Sequence, residues 1–173
     1  MSVSPRDAVA VLKPAHHGGL DYAALRAKGI SPEEVLDFSV NVNPFGPPPT
    51  VREALARVAI ARYPDTRAGA LRERLAAING VVPEEVLVTN GLSQAIWLLA
   101  LAYIRPGDLA LVLAPTFGEY RVACELMGAR VESWWSRAKD GFRPDIEAIA
   151  SWVRDQRPRL TCCATRTTPP AST

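Results

Sequence analysis

The chain has 173 residues, of which 48% are hydrophobic and 22% charged, with a formal net charge of +2 at pH 7. This composition is typical of a globular protein with a sizeable core, and it excludes disordered chains and strongly basic nucleic-acid-binding proteins. The longest apolar run, Ala95 to Ile104, is far shorter than the ~20 residues that cross a bilayer, and no signal-peptide pattern opens the chain. We therefore expect a cytoplasmic protein with neither a membrane nor a nucleic acid as partner.

The three cysteines predict neither a metal site nor a structural disulfide. Cys124 falls in a helical stretch, and Cys162 and Cys163 are adjacent. A disulfide framework needs an even number of spaced cysteines and a zinc site a C-x-x-C pattern, and the chain has neither.

The N-terminal part of the chain is less regular than the rest. The stretch NVNPFGPPP, residues 41–49, can be neither helix nor central strand because proline lacks a donor and restricts the residue before it. We interpret residues 1–49 as an extended N-terminal arm. Apolar residues at helical spacing then predict helices within 50–61 and 67–80, separated by the loop RYPDT, with Gly80 as a stop signal.

After Gly80 the sequence alternates between short apolar runs and helical stretches. Strands are predicted in EEVLVTNG (84–91), DLALVLAP (108–115), ARVESWW (129–135) and from about Arg159, and helices in 92–104, 117–128 and 144–154. Repeated strand–helix units with continuous apolar strands favour an α/β fold, with a mostly parallel sheet and helices on both faces.

Two strand ends carry residues suited to a phosphorylated, aromatic ligand. Gly91 and Ser93 lie where a predicted strand passes into a helix, so backbone N–H groups, close approach at glycine and a hydroxyl could hold a phosphate. The alternative is an ordinary turn with Ser93 as helix N-cap. Phe117 follows the next strand and could stack on a flat ring, although an aromatic at a helix start is often part of the core.

Two further residues could belong to the same site. The Tyr63 phenol, in the loop between two predicted helices, could donate to a phosphate on its own or a neighbouring subunit, or could simply pack on the surface. His17, next to two glycines in HHGG (16–19), could lie in a mobile lid or in a solvated loop.

Taken together, these motifs resemble the fold-type I pyridoxal-phosphate enzymes, in the group of histidinol-phosphate aminotransferase and threonine-phosphate decarboxylase. HGG, LDFSVNVNPFGPP, RYPD, VTNGLSQAI and APTFGEY follow the order and approximate spacing of that group up to about Leu160. HGG followed by DFSVNVNPFGPP is more similar to the decarboxylase, because the aminotransferases usually lack that HGG.

The resemblance implies a fold, a cofactor and a set of site residues. It implies an incomplete aminotransferase-like large domain at 50–160, preceded by the arm and part of a small domain at 1–49. Gly91, Leu92 and Ser93 would contact the phosphate of pyridoxal 5'-phosphate and Phe117 would stack on its ring. Tyr63 would reach the cofactor of the partner subunit in a homodimer. His17 and Asn41 would line the pocket for a small phosphorylated amino acid.

The last residues, 161–173, depart from this pattern. The group has a strand ending in Asn-Pro-Asn-Asn-Pro-Thr-Gly where this chain has residues 164–171. One permitted set of codons for 163–171, regrouped by one nucleotide, spells Cys-Asn-Pro-Asn-Asn-Pro-Thr-Gly. We interpret 161–173 as an out-of-frame tail, the alternative being a genuine polar ending.

The resemblance also implies that the catalytic residues lie beyond this chain. The Schiff-base lysine, the acid opposite the pyridine nitrogen and the substrate-binding arginines are expected downstream, so no catalytic residue is assigned and the chain alone is expected to be inactive. The resemblance favours decarboxylation of threonine phosphate to aminopropanol phosphate for cobalamin synthesis. A histidinol-phosphate type aminotransferase and a non-catalytic phosphate- or partner-binding module are the alternatives.

Overall fold

The computed structural model describes residues 3–15 and 17–164. They form two compact units, one from the described residues of 1–16 and 89–173 and the other from 17–88. Residues 165–173 of the proposed out-of-frame tail lie outside the described part of the chain. The division into 1–49, 50–160 and 161–173 stays a prediction.

Seven helices and three strands are present in the described residues. The helices are α1 (Asp7–Ala10), α2 (Tyr22–Ala27), α3 (Pro49–Ala56), α4 (Gly69–Asn79), α5 (Gly91–Tyr103), α6 (Glu119–Leu126) and α7 (Ile146–Gln156), and the strands are β1 (Leu109–Ala114), β2 (Arg130–Trp135) and β3 (Leu160–Cys162). Short 3₁₀ turns occur at Pro32–Glu34, Pro83–Glu85 and Ala138–Asp140.

Residues 41–48 form neither helix nor strand, as predicted for this proline-rich stretch, but Pro49 at its end belongs to α3. The turn in this stretch is closed by Asn43, whose carbonyl accepts from the Gly46 N–H at 3.0 Å and whose side-chain oxygen accepts from the Phe45 N–H at 3.0 Å. Helix α3 begins at Pro49, a position that tolerates proline because the first N–H of a helix needs no intrahelical acceptor. It ends at Ala56, so the predicted helix over 50–61 is shorter than expected. The arm as a whole is not uniformly extended, since α1 and α2 lie within it.

Helix α4 is capped by a residue that precedes its formal start. Ala68 at the N-cap position has no side-chain acceptor, and Asp65 supplies one, accepting from the Gly69 N–H at 2.7 Å and the Arg67 N–H at 3.0 Å. These hydrogen bonds, chiefly that of Gly69, lower the pKa of Asp65. At the other end Gly80 adopts φ +67°, which confirms it as the stop signal.

The prediction of a strand over residues 84–91 is wrong. Residues 83–85 form a 3₁₀ turn, and residues 86–89 pair with no other strand in the described chain. The Arg72 guanidinium on α4 instead donates to the carbonyls of Pro83 and Val86, both at 3.0 Å from Nε. An apolar run becomes a strand only where a neighbour supplies ladder hydrogen bonds, and here a side chain supplies the donors.

The sheet confirms the predicted parallel arrangement. Its order is β2-β1-β3, with β1 parallel to both neighbours. Ala110 of β1, completely buried, packs with residues of α5 and α6 that include Ile96, Ala100 and Ala123. Leu111 points to the opposite face by strand alternation and is 1% exposed. The central strand is therefore buried on both sides, as a parallel sheet requires.

The sheet also sets the direction of the two helices that pack together. α5 leads into β1 and α6 follows it, so both helices begin at the carboxyl edge of the sheet, where ligands bind in open α/β folds. None of the helices in the described residues is long and apolar enough to cross a membrane.

Candidate functional site

The first turn of α5 has the geometry of an anion-binding site. Gly91 opens the helix at φ +75°, and a Cβ built on it would meet no atom within 4 Å. The loop before it is fixed by hydrogen bonds from the Gly91 N–H to the Thr89 carbonyl at 2.9 Å and from the Asn90 N–H to the Gln94 side-chain oxygen at 2.6 Å. The backbone at Gly91 is thus both held in place and open to a ligand.

The N–H groups that follow Gly91 are suited to a phosphate. Asn90 occupies the N-cap position without a side-chain hydrogen bond to the helix, and the first turn contains no acidic residue. The N–H groups of Leu92 and Ser93 have no intrahelical acceptor at this end, where the helix dipole is positive. The alternative prediction that Ser93 is the N-cap is wrong, because Ser93 is the third residue of the helix.

Phe117 lies just after the neighbouring strand end. Its side chain is 38% exposed and meets the Tyr120 ring edge-on, with ring centroids 6.3 Å apart. It lines a cavity of about 560 Å³ together with Thr116, Gly118 and Arg121. Arg121 is fixed there, donating to Glu125 and to the Ser133 hydroxyl, both at 2.7 Å. Phe117 therefore remains accessible from the cavity side, and only part of its ring is used for packing.

A hydrogen bond joins the helix starts that carry Ser93 and Phe117. The Trp97 Nε1–H on α5 donates to Glu119 Oε2 on α6 at 2.7 Å, and Glu119 is only 8% exposed. Trp97 is one turn after Ser93, and Glu119 follows Phe117 by two residues. The structure thus brings the residues predicted from the two strand ends, Gly91 to Ser93 and Phe117, to the same end of two adjacent helices.

The other predicted site residues belong to the unit of residues 17–88. Tyr63 is 99% exposed. His17 and Asn41 are also exposed, and they lie on two segments that touch. A Cβ built on Gly18, the residue after His17, would lie 2.1 Å from the Ser39 carbonyl oxygen, so only glycine fits at this position.

A short hydrogen-bond chain fixes this contact. The Gly19 N–H donates to Ser39 Oγ at 2.8 Å, and Ser39 Oγ donates to Asp37 Oδ1 at 2.6 Å. The hydrogen bond from Ser39 lowers the pKa of the Asp37 carboxyl. Because the chain joins the HGG segment to the DFS segment, His17 and Asn41 are carried by one local structure.

The cysteines form no cluster with a metal-binding arrangement in the described residues. Cys124 on α6 and Cys162 on β3 are buried free thiols, while Cys163 is exposed. Contact with the Cys124 thiol and burial raise the pKa of Cys162, so the Cys162 thiol stays protonated at neutral pH.

Sequence reasoning missed Trp97 and Glu119. These two residues hold the starts of α5 and α6 together, but they are not among the residues predicted to contact a ligand. The available signal was weak. A tryptophan N–H in an apolar helix needs a partner, but nothing in the sequence marks Glu119 as buried, since an acid in the first turn of a helix is usually exposed.

The family model of aminotransferase class I and II matches residues 33–164. Among curated proteins, the chain is 35% identical over 150 residues to histidinol-phosphate aminotransferase of Moorella thermoacetica, covering 86% of this chain and 38% of that protein. It is also 35% identical over 137 residues to threonine-phosphate decarboxylase of Salmonella typhimurium, covering 78% of this chain and 37% of that protein. The chain therefore spans less than two fifths of either relative.

Solved structures agree with this assignment of the fold. An aspartate aminotransferase of Thermus thermophilus superposes with a TM-score of 0.69 at 28% identity, over 97% of this chain and 46% of that one. An α-aminoadipate aminotransferase of the same species, complexed with N-(5'-phosphopyridoxyl)-L-leucine, gives a TM-score of 0.55 at 30% identity, over 64% of this chain and 29% of that one. The architecture is that of part of a fold-type I aminotransferase.

Proposed function

Because the chain belongs to the aminotransferase class I and II family, we propose that it is the N-terminal part of a pyridoxal-phosphate-dependent threonine-phosphate decarboxylase. The intact enzyme would release carbon dioxide from threonine phosphate and yield aminopropanol phosphate for cobalamin synthesis. In this proposal, residues 1–173 hold part of the cofactor site, and the catalytic residues belong to the rest of the intact enzyme.

The observation that carries the choice of a decarboxylase is the contact between Gly18 and Ser39. HGG distinguishes the decarboxylase-like pattern, and Gly18 is needed where it stands because a Cβ would overlap the Ser39 carbonyl. The HGG segment is therefore built into the fold beside DFS, and it is a structural part of the unit that carries His17 and Asn41.

The residues at the start of α5 fit the phosphate of pyridoxal phosphate, the cofactor of this family. The open backbone at Gly91 and the N–H groups of Leu92 and Ser93 would hold the phosphate, with the Ser93 hydroxyl as a further donor. Phe117 would lie along the pyridine ring. When bound, the cofactor supplies an electron sink for bonds broken at the substrate α-carbon.

The exposed side chains of the other unit supply the remaining proposed contacts. Tyr63, with its phenol almost fully in solvent, would donate to the cofactor phosphate of the partner subunit in a homodimer. His17 and Asn41 would bind the substrate's phosphate or carboxylate. The substrate is a small phosphorylated amino acid in this proposal.

A histidinol-phosphate aminotransferase is the second candidate. The match to the Moorella enzyme has the same identity as the match to the decarboxylase and extends over more residues. In that case the intact enzyme would remove the α-proton and pass the amino group to a keto acid. The same cofactor contacts would serve both reactions.

The test uses a protein in which residues 1–160 are continued by the reading frame that restores the family motif. Carbon dioxide release from threonine phosphate, without amination of a keto acid, is the expected result. If the protein instead transfers the amino group of histidinol phosphate to a keto acid, it is the histidinol-phosphate aminotransferase. Gene sequencing tests whether a longer reading frame exists. If it finds none, and the purified chain binds phosphate but has neither activity, the protein is a non-catalytic module.

A further inference from the structure

A second concave site lies at the carboxyl end of β2, before the start of α7. It is a cleft of about 670 Å³, and none of Gly91, Leu92, Ser93 and Phe117 lines it. Its walls include Trp135, which is 66% exposed, and three cationic side chains, those of Arg137, Lys139 and Arg143. We call it the Arg137 cleft.

A tight turn brings the three cations to one cleft. The N–H groups of Asp140 and Phe142 both donate to the Arg137 carbonyl at 3.0 Å. Phe142 then adopts φ +55°, a left-handed conformation that reverses the chain toward Arg143. The turn therefore brings the three cationic residues to the lining of one cleft.

The cations of the cleft outnumber its carboxylates. Within residues 3–15 and 17–164, the ion pairs found involve Arg57 and Arg121 and none of the three cations of the cleft. Two carboxylates line the same cleft. The Asp145 carboxylate accepts from the Ala148 N–H at 3.0 Å as the N-cap of α7, and the other carboxylate is that of Asp140. With three cations and two carboxylates, the lining keeps a net positive charge of one.

We propose that the Arg137 cleft binds a nucleotide. Arg137 and Arg143 would hold its phosphates through planar, forked donors, with Lys139 as an additional point charge. The exposed ring of Trp135 would stack on the base. A phosphate alone would use only the cations, whereas the tryptophan at the wall selects a ligand that also carries a planar ring.

The experiment is isothermal titration of the purified, folded chain at low salt with ADP and, separately, with inorganic pyrophosphate. ADP is expected to bind with one site per chain and about tenfold more tightly than pyrophosphate, because only ADP can stack on Trp135. Arg143→Ala should weaken ADP binding by about tenfold or more, and Trp135→Leu should lower the ADP affinity to that of pyrophosphate. Circular dichroism of each exposed-site variant verifies its fold.

Arg130→Ala is the matched control, because it removes the same charge from the exposed start of β2, outside the cleft. It should change ADP affinity by less than about twofold. If Arg130→Ala and Arg143→Ala lose the same amount of ADP affinity, ADP is held by general charge attraction and the proposal is overturned. Equal affinity for ADP and pyrophosphate would overturn the nucleotide assignment. Complete displacement of ADP by pyridoxal phosphate at one shared site would overturn the existence of a second site.

Discussion

Replacing Trp97 by phenylalanine tests how the two helix starts are held together. The substitution keeps an aromatic ring in the core but removes the Nε1–H that donates to Glu119 Oε2 at 2.7 Å. Glu119 is 8% exposed, so water cannot readily take over the lost donor. A hydrogen bond to a charged group contributes about 1.5–3 kcal/mol, and the variant should lose free energy of unfolding in that range.

Thermal unfolding followed by circular dichroism measures this loss. For a domain of this size each kcal/mol corresponds to ~2–4 °C, so Tm should fall by about 3–12 °C. Trp135→Phe is the matched control, because Trp135 is 66% exposed and its side chain forms no hydrogen bond within the described residues. It should change the free energy of unfolding by less than about 0.5 kcal/mol.

The same pair of variants can refute the reasoning. If Trp97→Phe and Trp135→Phe are equally stable, the Trp97–Glu119 hydrogen bond does not hold α5 against α6. A double-mutant cycle with Glu119→Leu, which removes the acceptor oxygen, should then return a coupling energy near zero. A coupling of at least about 1 kcal/mol would identify the hydrogen bond as the cause of the loss.

Three further predictions concern single contacts. Gly18→Ala should destabilise the unit of residues 17–88 far more than Gly69→Ala. The Cβ added at position 18 would lie 2.1 Å from the Ser39 carbonyl oxygen, whereas the Cβ added at position 69 would lie 3.3 Å from the flexible Asp65 carboxylate. Urea unfolding of the two variants measures the difference in their free energies of unfolding. Hydrogen bonds lower the pKa of Asp65, so its contribution to stability is present above the ordinary aspartate pKa and is lost as pH falls through the lowered pKa. Asp65→Asn should remove this part of the loss of stability in acid. An unchanged dependence of the free energy of unfolding on pH in this variant would contradict the prediction. Ser93→Ala should weaken pyridoxal phosphate binding by about tenfold in equilibrium dialysis, and undiminished affinity would contradict the assigned phosphate site.

Local chemistry explains which parts of the fold could be predicted from the sequence. Gly80 has a backbone preference that acts whatever surrounds it, so the end of α4 follows from that residue itself. The parallel pairing of β1 with its neighbours follows from apolar runs separated by helices. Each of these signals depends on a few adjacent residues.

The features that could not be predicted depend on distant partners. The strand predicted over residues 84–91 does not form, and the Val86 carbonyl within it accepts from Arg72, fourteen residues away in sequence. Asp65 caps a helix whose N-cap position is Ala68, a residue that gives no sign of a cap. Pairing and burial are properties of the folded chain, and short-range patterns carry no information about them.

The candidate site shows both situations at once. Gly91 and Phe117 could be identified because glycine at a helix start and an aromatic after a strand have chemistry of their own. Their shared location, however, depends on Trp97 and Glu119, which lie in the core between the helices and contribute a single buried hydrogen bond. Since β1 directs α5 and α6 to begin at the same edge and this bond fixes their first turns together, the amides proposed to bind phosphate and the exposed ring keep one geometry. A ligand that needs both would be bound by a surface that is ordered before it arrives, which would reduce the entropy lost on binding.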